Sequence, residues 1–262
     1  MEAFRALLVV DAERFSAHRD AELPGLHLEI RRVLAVACRE SGLGETWAKV
    51  RFMESTGDGI LAVLPLDAAR ALIDPFPRRL QEALESAAPG LRMRGVRLRL
   101  RVAMHIGLVD DERPDAPGIS TATVDVNRLL DAAPLRDALK HSDPEVTFAA
   151  FLVSAELFAS YVEGGRTGLR ESQFSRVHVT VKQFDRPAYL YVPAPSHADG
   201  PPAEQDGPPA DQDEPPAERD EPPAGRRTEA AGPSISGITI SGDGSQNAIG
   251  NTIGGGFRQE RG

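Results

Sequence analysis

The sequence predicts an α+β sandwich, a mostly antiparallel sheet with helices packed on one face. Three observations carry that prediction. Over residues 1–192 the strand and helix signals run β-α-β-β-α-β-α-β-β, an order that suits helices laid on a sheet of hairpins. Two apolar segments are joined by Gly57-Asp58-Gly59, the turn chemistry of a hairpin. After Val192 the composition changes to proline, glycine and acidic residues, which marks the end of the folded domain.

The elements follow in order. Ala6–Asp11 (ALLVVD) is continuously apolar up to its last residue, as a central strand covered on both faces should be. Leu26, Ile30, Val33, Leu34 and Ala37 fall at the spacing of a helix packed by one face, and Gly42 suits its end. Val50 and Phe52 alternate with Lys49 and Arg51, then come the turn and the apolar run 60–64. A second helical region, 67–87, is interrupted by Pro75 and Pro77, and a break is expected there. Val96, Leu98, Leu100 and Val102 alternate with Arg97, Arg99 and Arg101. The arginine row reads as a solvated strand face, with phosphate binding as the alternative. A helix over 126–139, an apolar strand at 147–153, a helix capped by Ser154 and two closing strands (177–182 and 188–192) complete the domain.

The bulk numbers exclude several functions. Cys38 is the only cysteine of the 262 residues, so intramolecular disulfides and a zinc ribbon are ruled out. No run of 18 apolar residues and no basic, apolar, small-residue leader is present, and the expectation is a cytoplasmic protein without a membrane partner. The net charge is −9, yet from Pro193 onward there are 12 Asp/Glu against 5 Lys/Arg, leaving the first 192 positions at only −2. Such a domain carries no electrostatic footprint for nucleic acid.

No Gly-rich phosphate loop of the Walker type, no HExxH and no GxSxG occurs. His105 and His178 lie in apolar strands and read as satisfied structural histidines. A pair of carboxylates remains. Asp11 ends the first strand and Asp58 sits in the hairpin turn; if the hairpin pairs with the first strand, the two converge. Hard carboxylates without a dedicated cage suit Mg²⁺ or Mn²⁺ shared with phosphate. Each acid also has a plain reading, Asp11 as a cap and Asp58 as a turn-former.

Five segments in order then resemble the catalytic domain of class III nucleotidyl cyclases, the adenylate/guanylate cyclase homology domain. They are LLVVDAERFS, ESTGDGILAVLP, LRLRVAMHIGLVD, VNRLLDAAPLRDAL and VHVTVKQFDRPAYLYV, within residues 4–192. The resemblance implies the ferredoxin-like, palm-type sandwich of that family and turnover of an NTP to a cyclic nucleotide and pyrophosphate. It implies Asp11 and Asp58 as ligands of Mg²⁺ or Mn²⁺, and Phe15 and Ser16 in the loop whose amides cradle phosphate. Arg128 would be the transition-state arginine, Lys182 a further phosphate contact and Glu54 the base-selecting residue, with Glu there leaning towards GTP. It also implies a homodimer in which one subunit holds the metals and the other supplies Arg128. One position departs from the pattern: where the family has an Asn four residues before the arginine, this chain has Val124, and Asn127 is three residues out of register, on a different helical face. Losing one such donor costs ~10²–10³ in rate. The alternative is a degenerate cyclase-fold adaptor that binds nucleotide or dimerises without chemistry.

Residues 193–233 form an acidic, proline-rich linker containing four copies of a seven-residue unit, GPPAEQD, GPPADQD, EPPAERD and EPPAGRR. Two prolines per repeat forbid helix, and at ~3.1 Å per residue the repeats can reach roughly 80 Å. Residues 234–262 are poor in charge and rich in Gly, Ile, Ser and Asn. Their Ile-Gly-Asn-x-Ile (249–253) resembles amyloid-type signalling motifs, including the RIP homotypic interaction motif, and suits stacked strands with amide ladders; a Gly-rich end without structure is the plain reading. The resemblance implies an effector or sensor protein recruited through 234–256 in bacterial signalling or defence.

Overall fold

The computed structural model describes residues 2–50, 52–55, 59–113 and 115–198, with Phe52, Glu54 and Ser55 described in their backbone only. Asp58, the side chain of Glu54, nearly all of the linker and the whole 234–262 segment lie outside the described residues.

Seven strands form one sheet: β1 (Ala3–Ala12), β2 (Phe52–Ser55), β3 (Gly59–Pro65), β4 (Leu100–Val109), β5 (Ala149–Ser154), β6 (Ser175–Val181) and β7 (Phe184–Tyr191). Their spatial order is β2-β3-β1-β4-β5-β7-β6, and only β4–β5 is parallel. The apolar run in β1 is explained by its place: it pairs on both sides, with β3 and β4, and is buried from Ala6 to Ala12.

Helices cover both faces, not one. On the first face lie α1 (Leu23–Glu40) and α4 (Phe76–Met93), which bury Ile30, Val33, Leu34, Phe76 and Leu80 against the even-numbered positions Leu8 and Val10 of β1. On the second face α5 (Thr121–Leu130) and α6 (Ala133–Lys140) bury Val126, Leu129, Leu135 and Leu139 against Leu7, Val9, Leu61 and Ala103. Strand alternation gives each face its own set, and two apolar faces demand two helical layers. Short helices α2 (Gly44–Ala48), α3 (Ala69–Ile73) and α7 (Ala155–Phe158) join the larger elements. Cys38, in α1, is fully buried, and burial pushes its thiol up to about 12, so it is no nucleophile.

Several boundaries are set by partners rather than by pattern. The strand signal at 96–102 becomes a strand only at Leu100, because β1 ends at Ala12 and Arg14 turns the chain away in a left-handed conformation (φ 58°). The helix expected over 126–139 is two helices; Ala132 is extended and Pro134 lies in the first turn of α6, where its missing N–H costs nothing. The break at Pro75 and Pro77 is present, between α3 and α4. Ser154 caps α7, its hydroxyl accepting from the Leu157 N–H.

Candidate active site

Asp11 is the last residue of β1 on the second face. It shares a face with Leu7 and Val9, so its carboxylate is directed to the α5/α6 side, and the residue is 6% exposed. The antiparallel register sets it opposite Gly59 on one side and Arg101 on the other. Asp58 immediately precedes Gly59. Arg101 donates through Nη2 to Asp11, while its Nε is buried without a partner among the described residues. The cross-strand pair therefore leaves one buried guanidinium N–H without a protein acceptor among the described residues.

The loop after β1 supplies the next piece. Phe15–Ala17 is a single 3₁₀ turn in which the amides of Ala17 and His18 bond to Arg14 and Phe15 carbonyls. The amides of Phe15 and Ser16 make no such bond among the described residues. Phe15 packs its ring into the first core while Ser16 is exposed, so the two expected phosphate-loop residues anchor and present the turn respectively.

Arg128 and Lys182 are brought together. They line a cleft of about 670 Å³ between α5 and the β6–β7 loop, with Leu61 of β3 in its wall. The helix begins on a capping box between Ser120 and Thr123, which fixes its first turn. Lys182 opens a two-residue hairpin loop at φ 54°, an uncommon conformation for a side-chain-bearing residue. Val124, Asn127 and Arg128 line the same cleft, at the i, i+3 and i+4 positions of one helical face. This corrects the expectation that Asn127 points elsewhere. Its Nδ2 donates to the Thr123 carbonyl at 2.7 Å, and Val124 is 45% exposed.

Two residues that the sequence did not single out organise this half. Asp125 is buried and lies 3.5 Å from both Arg128 and Arg186, the latter reaching over from β7. Arg186 also lies 3.8 Å from Glu156. The arginine row is solvated only at Arg97: Arg101 is held by Asp11, and Arg99 is 7% exposed and bonded to Glu13, Ser142 and two carbonyls. Strand alternation alone cannot report this, because the partners come from β1 and from beyond α6.

The histidine expectations are also corrected. His178 is exposed and bonded to Asp185, whose carboxyl is held below the usual range by that bond. His105 is buried, but its Nδ1 has no hydrogen bond among the described residues and lies 3.7 Å from Glu156. Gly107, two residues after His105 within β4, has a steric reason: a Cβ there would stand 2.6 Å from that of Ala122 in α5.

Burial is the main influence on His105 and pushes its pKa below 6.5; Glu156 and Asp125 pull it up, and Arg186 pushes it down. The unfolded histidine protonates near 6.5 while the folded one resists, so its contribution is intact above about pH 6.5 and is lost as pH falls towards the folded value. Wild-type stability is expected to fall between pH 7 and 5 more steeply than that of His105→Gln, by urea midpoints. Parallel profiles would remove His105 from the account.

No protein-family model and no curated protein matches the chain. Solved structures do. A rhodopsin-guanylyl cyclase catalytic core with converted specificity, in complex with ATPαS, superposes with a TM-score of 0.50 at 12% identity, over 75% of this chain and 99% of that one. The guanylyl cyclase Cya2 gives 0.47 at 14% identity, over 78% and 96%. The adenylyl cyclase CyaB from P. aeruginosa gives 0.47 at 13%, over 77% and 98%. The α+β fold is that of class III adenylyl and guanylyl cyclase catalytic domains. At this identity the likeness is one of fold. No helix among the described residues is long and apolar enough to cross a membrane.

Proposed function

We propose that the chain is a divergent class III nucleotidyl cyclase. It converts an NTP to a cyclic nucleotide and pyrophosphate, with the 3′-oxygen attacking the α-phosphorus as the bond to pyrophosphate breaks. The observation that carries this reading is the β1–β3 register: Asp11 lies opposite Gly59, the neighbour of Asp58, on the sheet face that also bears the Arg128 and Lys182 cleft. The Asp11 carboxylate at the end of β1, with Asp58 next in sequence to its register partner Gly59, offers the hard oxygen ligands that suit a divalent ion shared with phosphate. Asp11 and Asp58 would hold Mg²⁺ or Mn²⁺, which supplies Lewis-acid activation of the hydroxyl and neutralises the leaving pyrophosphate.

The chain's own groups do the rest. Phe15 and Ser16 amides and Arg101 bind the phosphate tail, and Lys182 adds a point charge. Arg128, held by Asp125, stabilises charge developing on the transferring phosphoryl oxygens. A homodimer would pair the Asp11 half of one subunit with the Arg128 half of the other. Glu54 would read the base by accepting from guanine N1–H and its amino group, making GTP the substrate. The linker and the 234–256 segment would recruit an effector or sensor protein.

A second reading, a nucleotide-binding adaptor without turnover, draws on Val124, an apolar side chain in the cleft. Incubation with Mn²⁺ and each of ATP, GTP, CTP and UTP, followed by mass spectrometry, separates the two. Cyclic monophosphate is expected, strongest from GTP, and falling ~10²–10³-fold in Arg128→Ala. Nucleotide binding without product would establish the adaptor.

A further inference from the structure

A second cleft, of about 720 Å³, opens beyond the end of β1, between the C-terminal ends of α4 and α6. Five permanent cations line it: Arg14, Arg92, Arg97, Arg99 and Lys140. Their carboxylate partners are few. Arg99, at the buried floor, bonds to Glu13 at 3.0 Å and feels Asp143. Glu145 serves both Arg92 and Arg97. Arg14 and Lys140 have no carboxylate within ion-pair distance among the described residues, and both are exposed on the rim. His18, also in the wall, lies 3.8 Å from Glu22.

Arg14 is held at φ 58°, a backbone conformation that residues with a side chain rarely adopt. Strain of this kind gathers where a side chain is aimed at a ligand. The surrounding domain is nearly neutral and the whole chain is −9, so concentrated positive charge here is local. Extended polyanions would be repelled elsewhere on the molecule. The cleft is too large for one phosphate and suits a compact anion carrying several charges.

We propose that this cleft binds an oligophosphate, a diphosphate or triphosphate chain, separately from the cleft lined by Arg128. Arg14 and Lys140 supply the charge-assisted contacts, and Arg97 the third. The proposal stands whether or not the chain cyclises nucleotides.

The test is calorimetric titration of the full-length protein with inorganic pyrophosphate and tripolyphosphate in EDTA, which disables a metal-dependent site. Saturable binding is expected, weakened at least tenfold in R14A/K140A and in R97A, and retained in R128A/K182A. The rim side chains are exposed, so thermal unfolding of these variants should match wild type; R97A is the independent variant if the double one does not fold. Tighter binding of pyrophosphate than of GDP would assign a free oligophosphate, and the reverse a nucleoside diphosphate. No binding, binding unchanged in both rim variants, or loss only in R128A/K182A would overturn the proposal.

Discussion

Asp11→Asn is expected to lower Mn²⁺-dependent cyclic nucleotide production at least ~10³-fold while the domain stays folded. The substitution keeps the shape of the side chain and one oxygen for the Arg101 guanidinium, which now donates to a carboxylate at the end of β1. It removes the charge that a divalent ion requires. Asp11 is 6% exposed and shares its register position with Arg101, so the variant also leaves the guanidinium less neutralised, favouring bound phosphate. Metal-dependent turnover should therefore disappear, while nucleotide affinity measured in Mn²⁺ falls by much less than turnover does. Retained turnover in Asp11→Asn would sink the metal-ligand role. Loss of both turnover and the folded signal would show that the Asp11–Arg101 pair is structural only.

The second large effect is on stability. Arg99→Ala is expected to cost roughly 3–5 kcal/mol, the range for removing one partner of a buried ion pair. The guanidinium donates to the Thr147 carbonyl at 2.9 Å, the Leu139 carbonyl at 2.8 Å, Ser142 Oγ at 2.6 Å and Glu13 at 3.0 Å. It thereby ties the end of β1, the approach to β4, the end of α6 and the approach to β5. Alanine leaves two carbonyls short of a donor and the Glu13 carboxylate without its partner at the floor of the cleft. For a folded unit of this size the melting temperature should drop by roughly 10 °C. Arg99→Lys should rescue little, since an ammonium cannot span the fork. Arg99→Ala with Glu13→Gln should recover part of the loss. A drop of less than about 1 kcal/mol would place Arg99 among ordinary surface ion pairs.

Arg99 also shows why the sequence was readable only so far. Its alternation with Val96, Leu98, Leu100 and Val102 places it opposite the apolar set, and that much holds: Leu98 and Leu100 are buried in the first core. Solvent on the other side does not follow, because α6 and the Thr147 approach cover it. The same blindness explains the expectation of helices on one face. The continuous apolar run of β1 does signal two covered faces, but it does not reveal that α5 and α6 supply the second cover.

The site divides in the same way. Asp11 at a strand end was legible from local pattern, whereas Phe15, Ser16 and Arg128 were reached through the resemblance; the fold places them in the turn after β1 and on α5. Asp125 and Arg186 were not legible, since they acquire their meaning from each other and from Arg128, and Arg101, read within a solvated row with phosphate binding as the alternative, meets Asp11 only across a strand pair. Asn127 was assigned to a different face from Val124, although helical spacing puts both in one cleft.

By itself, the sequence determined the kinds and order of the main elements, the change of composition after Val192, and the residue types available for phosphate and metal chemistry. These are local properties, written in periodicity, turn residues and composition. Tertiary structure alone decided that Asp11 faces Arg101, that Arg128 and Lys182 share a cleft, and that five cations gather beyond β1. Those are facts of register and packing, in which residues far apart in the chain meet because two apolar sheet faces had to be covered.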